Sequence, residues 1–338
     1  MNSTAEPAPW LASPTETTPP RRRPSVRRTT THDCTRPDGL DGPVSVVATG
    51  RDLLTRSDGT TKVLDECRLD VRVRYLEGSF LAIDAQPPAP GLASLVGSSF
   101  HRGFRPGIET ALPGESASHS VRFQLLDELP AAAFASGRAL RVAGIAISLG
   151  DGPPTLSPSQ IDLCAGWRDG GAAVSGYTEA GPPLHIGSIA PDVEAGDDPL
   201  AWHTHAPLPP HGTCRRRRLD LWEEDGRVRV DCFFRDHHVD ADGVATVVHE
   251  WTLRAELDPA TMTFTAAEAS QGPLPFADCL VTPASAQRLP GMSIDGIRRT
   301  VRKEFGGPTT CTHLNDTFRS LEDLGALLDA LRMEESHR

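Results

Sequence analysis

Hydrophobic and polar positions alternate in two separated blocks of the chain. In the first, Val44 and Val46 lead to the Arg51-Asp52 pair, Asp58-Gly59 follows, and alternation resumes over residues 63–75. Successive side chains of a strand point to opposite faces, and Asp-Gly supplies the positive φ of a tight turn, so the block predicts strand, turn, strand. Residues 79–83 add a further strand, ended by Pro87, Pro88 and Pro90. Residues 125–134 predict a helix, and the apolar stretch 140–149 an added strand. In the second block, residues 215–222, 226–235, 246–257 and 262–269 predict a four-stranded antiparallel meander, with turns at Asp225-Gly226 and Asp242-Gly243. The period then lengthens. Residues 293–305 and 311–333 predict helices, the last with Leu321, Leu324, Leu327, Leu328 and Leu331 on one face.

The two blocks resemble each other. Gly42 corresponds to Gly226, Asp52 to Asp236, Asp58-Gly59 to Asp242-Gly243, Glu66 to Glu250, Leu69 to Leu253 and Phe80 to Phe264, each pair 184 positions apart. The series resumes at a separation of 194, with Leu95 and Leu289, Gly97 and Gly291, Arg105 and Arg299, His119 and His313. The fold class that follows is α+β: two tandem repeats, each an antiparallel β-meander followed by helices. The divisions expected are a disordered tail over 1–26, a degenerate first repeat over 27–150, a Pro/Gly-rich connector over 151–213 and a second repeat over 214–338.

Composition sharpens this picture. Thirty prolines and thirty glycines in 338 residues make the chain turn-rich, while the two tyrosines leave it poor in aromatics. That balance favours short strands over a helical bundle. The formal charge of -11 argues against a non-specific nucleic-acid binder. No run approaches the roughly 18 apolar residues of a membrane span, and no apolar segment follows the start as in a secretory leader. The seven cysteines have no regular spacing, which suits a reducing cytoplasm, where cysteines serve as thiols or ligands.

The candidate chemistry centres on Cys311-Thr312-His313-Leu314, where a Gly/Pro loop gives way to a helical pattern. A helix start lowers a thiol pKa. His249 and Cys279 lie upstream, and the first block carries Asp65 at the position of His249 and Ala117 at that of Cys311. Donors that one block has and the other folds without point to a site, so His249, Cys279, Cys311 and His313 are expected to hold one metal, zinc or alternatively iron or an iron–sulfur centre. If only three bind, Asp278 or Glu250 is the candidate general base. Arg216 and Arg218, in the run 215–218, are candidates to hold an anion. His203, His205 and Cys214 lack a fourth ligand at a sensible spacing, and their stretch reads as a connector that packs Trp202 into an interface. No Walker loop, dinucleotide loop or Gly-x-Ser-x-Gly is present.

The arginine-rich opening strand, His249-Glu250, Pro275 with Cys279, and Gly306-Gly307 through Cys311-Thr312-His313-Leu314 together resemble the bacterial domain-of-unknown-function family 2889, over residues from about 215 to 330. The stretch Asp197-Pro199-Trp202-His203 is similar to longer members with two copies. His249 is followed by Glu where Asp is more usual, and the first block departs at most ligand positions. The resemblance implies a ligand pattern and no established activity. Strands, then a cysteine, a helix and a Cys/His pair opening a helix are also similar to NifU-like iron–sulfur scaffolds. Two functions are therefore expected in competition: a metal-dependent enzyme on a small anionic metabolite, or a non-catalytic metalloprotein serving a protein partner.

Overall fold

The strands β1 (Ser25–Thr35), β2 (Val44–Thr55), β3 (Thr61–Arg74) and β4 (Ser79–Gln86) form one antiparallel meander, and β5 (Thr213–Glu224), β6 (Arg227–Val239), β7 (Ala245–Asp258) and β8 (Thr263–Gln271) form a second. Because β1 pairs antiparallel with β5, both join in one eight-stranded sheet of order β4-β3-β2-β1-β5-β6-β7-β8. The computed structural model describes residues 12–145, 147, 156–178 and 181–336. Helices α1 (Phe104–Ala111), α2 (Glu115–Ser118), α3 (Val121–Ala135) and α4 (Arg138–Val142) follow the first meander. Helix α5 (Ala172–Ser175) lies in the connecting segment, and α6 (Ile297–Glu304), α7 (Thr312–Ser320) and α8 (Leu324–Ser336) follow the second. The protein is thus α+β, as the two periodicities predict.

The two meanders correspond strand for strand. β3 and β7 are both 14 residues long. Register shifts fall after Asp52 and after Asp236, and again after Arg72 and after Glu256, each pair 184 positions apart. The isolated bridges Ser79 to Ser99 and Thr263 to Ser293 also match. The helices align differently from the sequence reading. The N-caps of α3 and α7 are Ser120 and Cys311, 191 positions apart, three fewer than the separation read from sequence. His119 accordingly does not take the place of His313. It adopts φ 52° and pairs through Nδ1 with Asp323 Oδ1 at 3.0 Å.

Two apolar cores lie where helices cover the sheet. Val46, Leu69 and Phe80 meet Leu125, Leu126 and Leu129 of α3, and Phe234, Trp251 and Leu253 meet Leu314, Phe318 and Leu324. All five leucines of the expected face, Leu321 to Leu331, are buried. Each contributes about 1.5–3 kcal/mol.

The seam between the halves is polar. In β1, Arg27, Arg28, Thr29, Thr30, Thr31 and His32 are all buried. Buried charge is tolerated only when paired, and the pairs come from distant segments. Arg27 meets Asp220 at 2.5 Å, Arg28 meets Asp52 at 2.7 Å and Asp323 at 2.9 Å, and Arg217 meets Glu128 at 2.8 Å.

Three expectations are corrected. The tail expected to be disordered is packed from residue 12 onward, and β1 begins inside it at Ser25. Thr15 donates through both N and Oγ1 to Glu250 Oε1 at 2.7 Å, and Arg21 pairs with Asp198. These polar contacts substitute for the apolar surface the segment lacks. Residues 1–11, with Trp10, lie outside the described residues. The stretch 140–149 supplies the end of α4 rather than a strand, with 146 and 148–149 outside the described residues. The halves share one sheet instead of forming separate domains, because β1 and β5 satisfy each other's backbone groups. The connector packs Val193 and Trp202 on Phe233. Among the described residues, no helix is long and apolar enough to cross a membrane.

Candidate metal centre

The register of β6 against β7 sets Asp236 directly opposite His249. Cross-strand neighbours present their side chains to the same face, here the one that α7 covers. Cys311 caps α7 with extended backbone, and the first turn of the helix carries His313 over the pair. The His249 and His313 rings stack at 3.8 Å with 24° between their planes. One ligand atom each from Asp236, His249 and His313 lies within 4.8 Å of the others. Asp236 is buried, while both histidines keep some contact with solvent.

The surroundings set the charge states. Arg215 reaches Asp236 with Nε at 3.0 Å and Nη2 at 2.9 Å, and its Nη1 lies 3.1 Å from Asp316. Asp316 also meets Arg319 at 2.6 Å, and Arg319 stands 3.8 Å from Asp127. An unbroken line of ion pairs therefore leads away from the histidines. Burial, reinforced by Arg215, lowers the His313 pKa to about 3. Burial and the neighbouring His313 hold His249 well below its ordinary value. Both rings are neutral at pH 7, the state in which imidazole offers a lone pair to a cation. His249 Nδ1 is buried without a hydrogen-bond partner among the described residues. A buried polar atom left unmatched is costly unless something else satisfies it.

The structure divides the expected ligand set. His249 and His313 come together, with Asp236 as their third companion. Cys311 Sγ stands 3.8 Å from His313 Nδ1, at the margin. Cys279, in the 3-10 segment Ala277–Arg288, lies beside Cys164, and both are close enough to act on the Cys311 thiol, but none of the three joins the donor group of Asp236, His249 and His313. The loops that carry Cys164 and Cys311 are joined, as Ala165 N donates to Thr310 O at 2.9 Å. The expectation that the helix start lowers the Cys311 pKa is reversed. Burial raises it well above 9, and Cys164 and Cys279 nearby add to the rise. Cys279 is pushed up to about 12, also by burial first. These sulfurs are thiols at neutral pH.

The other expected residues are engaged elsewhere. Glu250 is buried, pairs with Arg235 at 2.6 Å and accepts from Thr15. Asp278 pairs with Arg168 at 2.5 Å and accepts from Ala172 N at 2.9 Å. Burial acts to raise the Asp278 pKa, but these two contacts outweigh it and the pKa is lowered, which weakens Asp278 as a base. Arg216 pairs with Glu194 and meets His205 Nε2 at 2.9 Å, while Arg218 is held by Asp220 and Asp231. Both guanidiniums thus already face carboxylates of the protein. His203 bonds to Thr29 and Thr31 hydroxyls, which ties it to the seam.

Sequence reasoning missed Asp236, Arg215 and Cys164 as parts of this region. In the sequence, Asp236 is distinguished only as the counterpart of Asp52. Its position opposite His249 across a hairpin turned by Asp242-Gly243 was the signal that could have found it.

Residues 213–326 match a family model. Its description is "Protein of unknown function (DUF2889)". The match covers about a third of the chain, runs from β5 into α8, and includes Asp236, His249, Cys279, Cys311 and His313. The first meander lies outside it. No curated protein and no solved structure matches the chain.

Proposed function

We propose that this protein is a metal-dependent enzyme in which Asp236, His249 and His313 hold one divalent ion, zinc or ferrous iron, for chemistry on a small anionic metabolite. The observation that carries the proposal is the approach of three donor atoms of the right types to within 4.8 Å of one another. The unmatched Nδ1 of His249 supports it. Two imidazoles and one carboxylate leave coordination positions open, a set that suits catalytic zinc or non-haem iron. Bound there, such an ion would lower the pKa of a water molecule and polarise a substrate oxygen. The protein's own groups orient the set: Arg215 fixes Asp236, and the first turn of α7 fixes His313. Cys311, at 3.8 Å from His313, is the nearest thiol to a fourth position, and Cys279 is not in the proposed set.

The two halves are read as tandem copies of one unit, of which the second retained the site. In the first, Asp65 replaces His249 and its Oδ2 accepts from Val121 N at the start of α3, a structural use of the same position. Cytoplasmic location is part of the proposal, supported by seven cysteines all free as thiols.

A second reading, a non-catalytic zinc-stabilised or iron–sulfur-handling module for a protein partner, is favoured by one contact. Arg215 already neutralises Asp236 without an ion. Elemental analysis and visible spectra of purified protein separate the two. The enzyme reading expects about one zinc or iron per chain, no iron–sulfur absorption, and a His249→Ala variant that folds but loses the ion. An ion whose loss in that variant abolishes folding favours the structural module, and absence of any ion removes both.

A further inference from the structure

The cleft between α1 and α6, on the helical side where the two halves meet, has no part in the metal centre. It encloses about 580 Å³ and is lined by Arg105, Arg298, Arg299 and Arg302, with His119 at its edge. Arg105 corresponds in the fold to Arg298, one position before the Arg299 that the sequence separation of 194 pairs with it. Arg105 and Arg298 are each the second residue of an eight-residue helix that begins after a left-handed glycine, Gly103 at φ 80° and Gly296 at φ 73°. The fold therefore aims one arginine from each half at the same space.

Three carboxylates, Glu109, Asp127 and Glu322, line the cleft beside these four arginines, one fewer than the cations. Glu109 accepts from Gly114 N and Ser116 Oγ, and Glu322 accepts from Arg298 N at 2.7 Å and lies 4.0 Å from Arg298 Nη1. Asp127 is left to answer several guanidiniums at once: Arg302 at 2.6 Å, Arg105 at 2.9 Å, Arg319 at 3.8 Å and Arg298 at 3.9 Å. Arg298 also reaches Asp323 at 3.1 Å, but Asp323 is shared with Arg28 and His119. Arg298 Nε is buried with no hydrogen-bond acceptor among the described residues. Arg299 stands exposed on the rim, in no ion pair recorded among those residues. The crowding is felt by Arg302: burial lowers its pKa, Asp127 draws it back, and Arg319, Arg105 and Arg298 push it down again.

We propose that this cleft binds a phosphate group carried by a small soluble molecule. Planar guanidinium forks arriving from two helices match an anion with several terminal oxygens, and a bound anion would answer the arginine that the lining carboxylates leave over. Arg299 and Arg302, both exposed in the cleft, are the donors that its oxygens would meet.

Titration calorimetry with inorganic phosphate in chloride buffer tests this on the full chain. The expected result is saturable binding of one phosphate per chain, weakened at least about tenfold in an Arg299→Ala/Arg302→Ala double variant. Should that variant not fold, Arg299→Ala alone, a change on the exposed rim, is expected to weaken binding several-fold. A His313→Ala variant is expected to bind phosphate as the wild type does. Absence of saturable binding up to about 20 mM phosphate overturns the proposal. So does unchanged affinity in Arg299→Ala, or loss of binding in His313→Ala, which would place the phosphate at the metal centre. Sedimentation with phosphatidic-acid vesicles distinguishes a lipid source. None is expected, and Arg299-dependent sedimentation would overturn the assignment to a soluble molecule.

Discussion

Replacing Arg28 by Ala tests the polar seam most sharply. The Arg28 side chain is 2% exposed and donates to Asp52 Oδ1 and Oδ2, both at 2.7 Å, to Asp323 at 2.9 Å and to His119 O at 2.8 Å. Removal has unequal effects on its partners. Asp323 keeps Arg298 at 3.1 Å and His119 at 3.0 Å, but among the described residues Asp52 has no other arginine to turn to. Burial already raises the Asp52 pKa with Arg28 in place. Breaking a buried pair from one side costs about 3–5 kcal/mol. Unfolding entropy of about 2.1 cal/mol/K per residue converts that into a fall of about 4–7 °C in melting temperature for a chain of 338 residues. The assay is thermal and urea unfolding of Arg28→Ala, Asp52→Asn and the double variant. An orphaned charge makes the double variant less destabilised than the sum of the singles, by about 1–3 kcal/mol.

The pH dependence has a definite sign. Without Arg28, Asp52 binds its proton more tightly in the folded than in the unfolded chain, so stability falls as pH rises above the unfolded value of about 3.9. The deficit of Arg28→Ala should therefore grow between about pH 4 and pH 7. A deficit below about 1 kcal/mol, additive singles, or a deficit independent of pH would refute the reasoning.

Other consequences follow from the same contacts. Burial acts to raise the pKa of both Asp127 and Asp323, but Arg319, Arg105, Arg302 and Arg298 outweigh it at Asp127, and Arg298, His119 and Arg28 outweigh it at Asp323, so both are lowered. Carboxylates with depressed folded pKa values stabilise the protein above about pH 4 and lose that contribution as pH falls through the folded values. Urea unfolding from pH 6 to pH 2 should show the loss, and Asp127→Asn should flatten it. Deleting residues 1–20 removes both Thr15 bonds to Glu250, and a loss of about 1–3 kcal/mol by urea unfolding is expected. An unchanged midpoint would show that the segment is not held. Cys279→Ala should retain the bound ion by elemental analysis, whereas Asp236→Ala should lose it.

How much could be read beforehand depended on how far each segment obeys hydrophobic patterning. β2 to β8 were visible because one face is apolar and Asp-Gly and proline turns punctuate them. β1, with the sequence SVRRTTTHDCT, was hidden because a central strand normally announces itself by apolar residues. Here its burial is sustained by carboxylates as far away as Asp220 and Asp323, which no local pattern reveals. The site was half legible. His249 and His313 stood out as chemistry absent from the first block. Asp236 did not, because its counterpart Asp52 has the same arginine partner role, and only the strand register gives Asp236 a second neighbour. Cys279 seemed equivalent to Cys311 in sequence, and the long 3-10 segment after Phe276 brings it with Cys164 near that thiol, but outside the donor group around His313.

X-ray absorption at the zinc and iron edges of the purified protein tests the central claim most directly. The account predicts one ion per chain in a shell of nitrogen and oxygen at about 2.0–2.2 Å, with the outer-ring scattering of two imidazoles and loss of that signal in His313→Ala. A first shell dominated by sulfur at about 2.3 Å, or no bound ion after reconstitution with either metal, would contradict it.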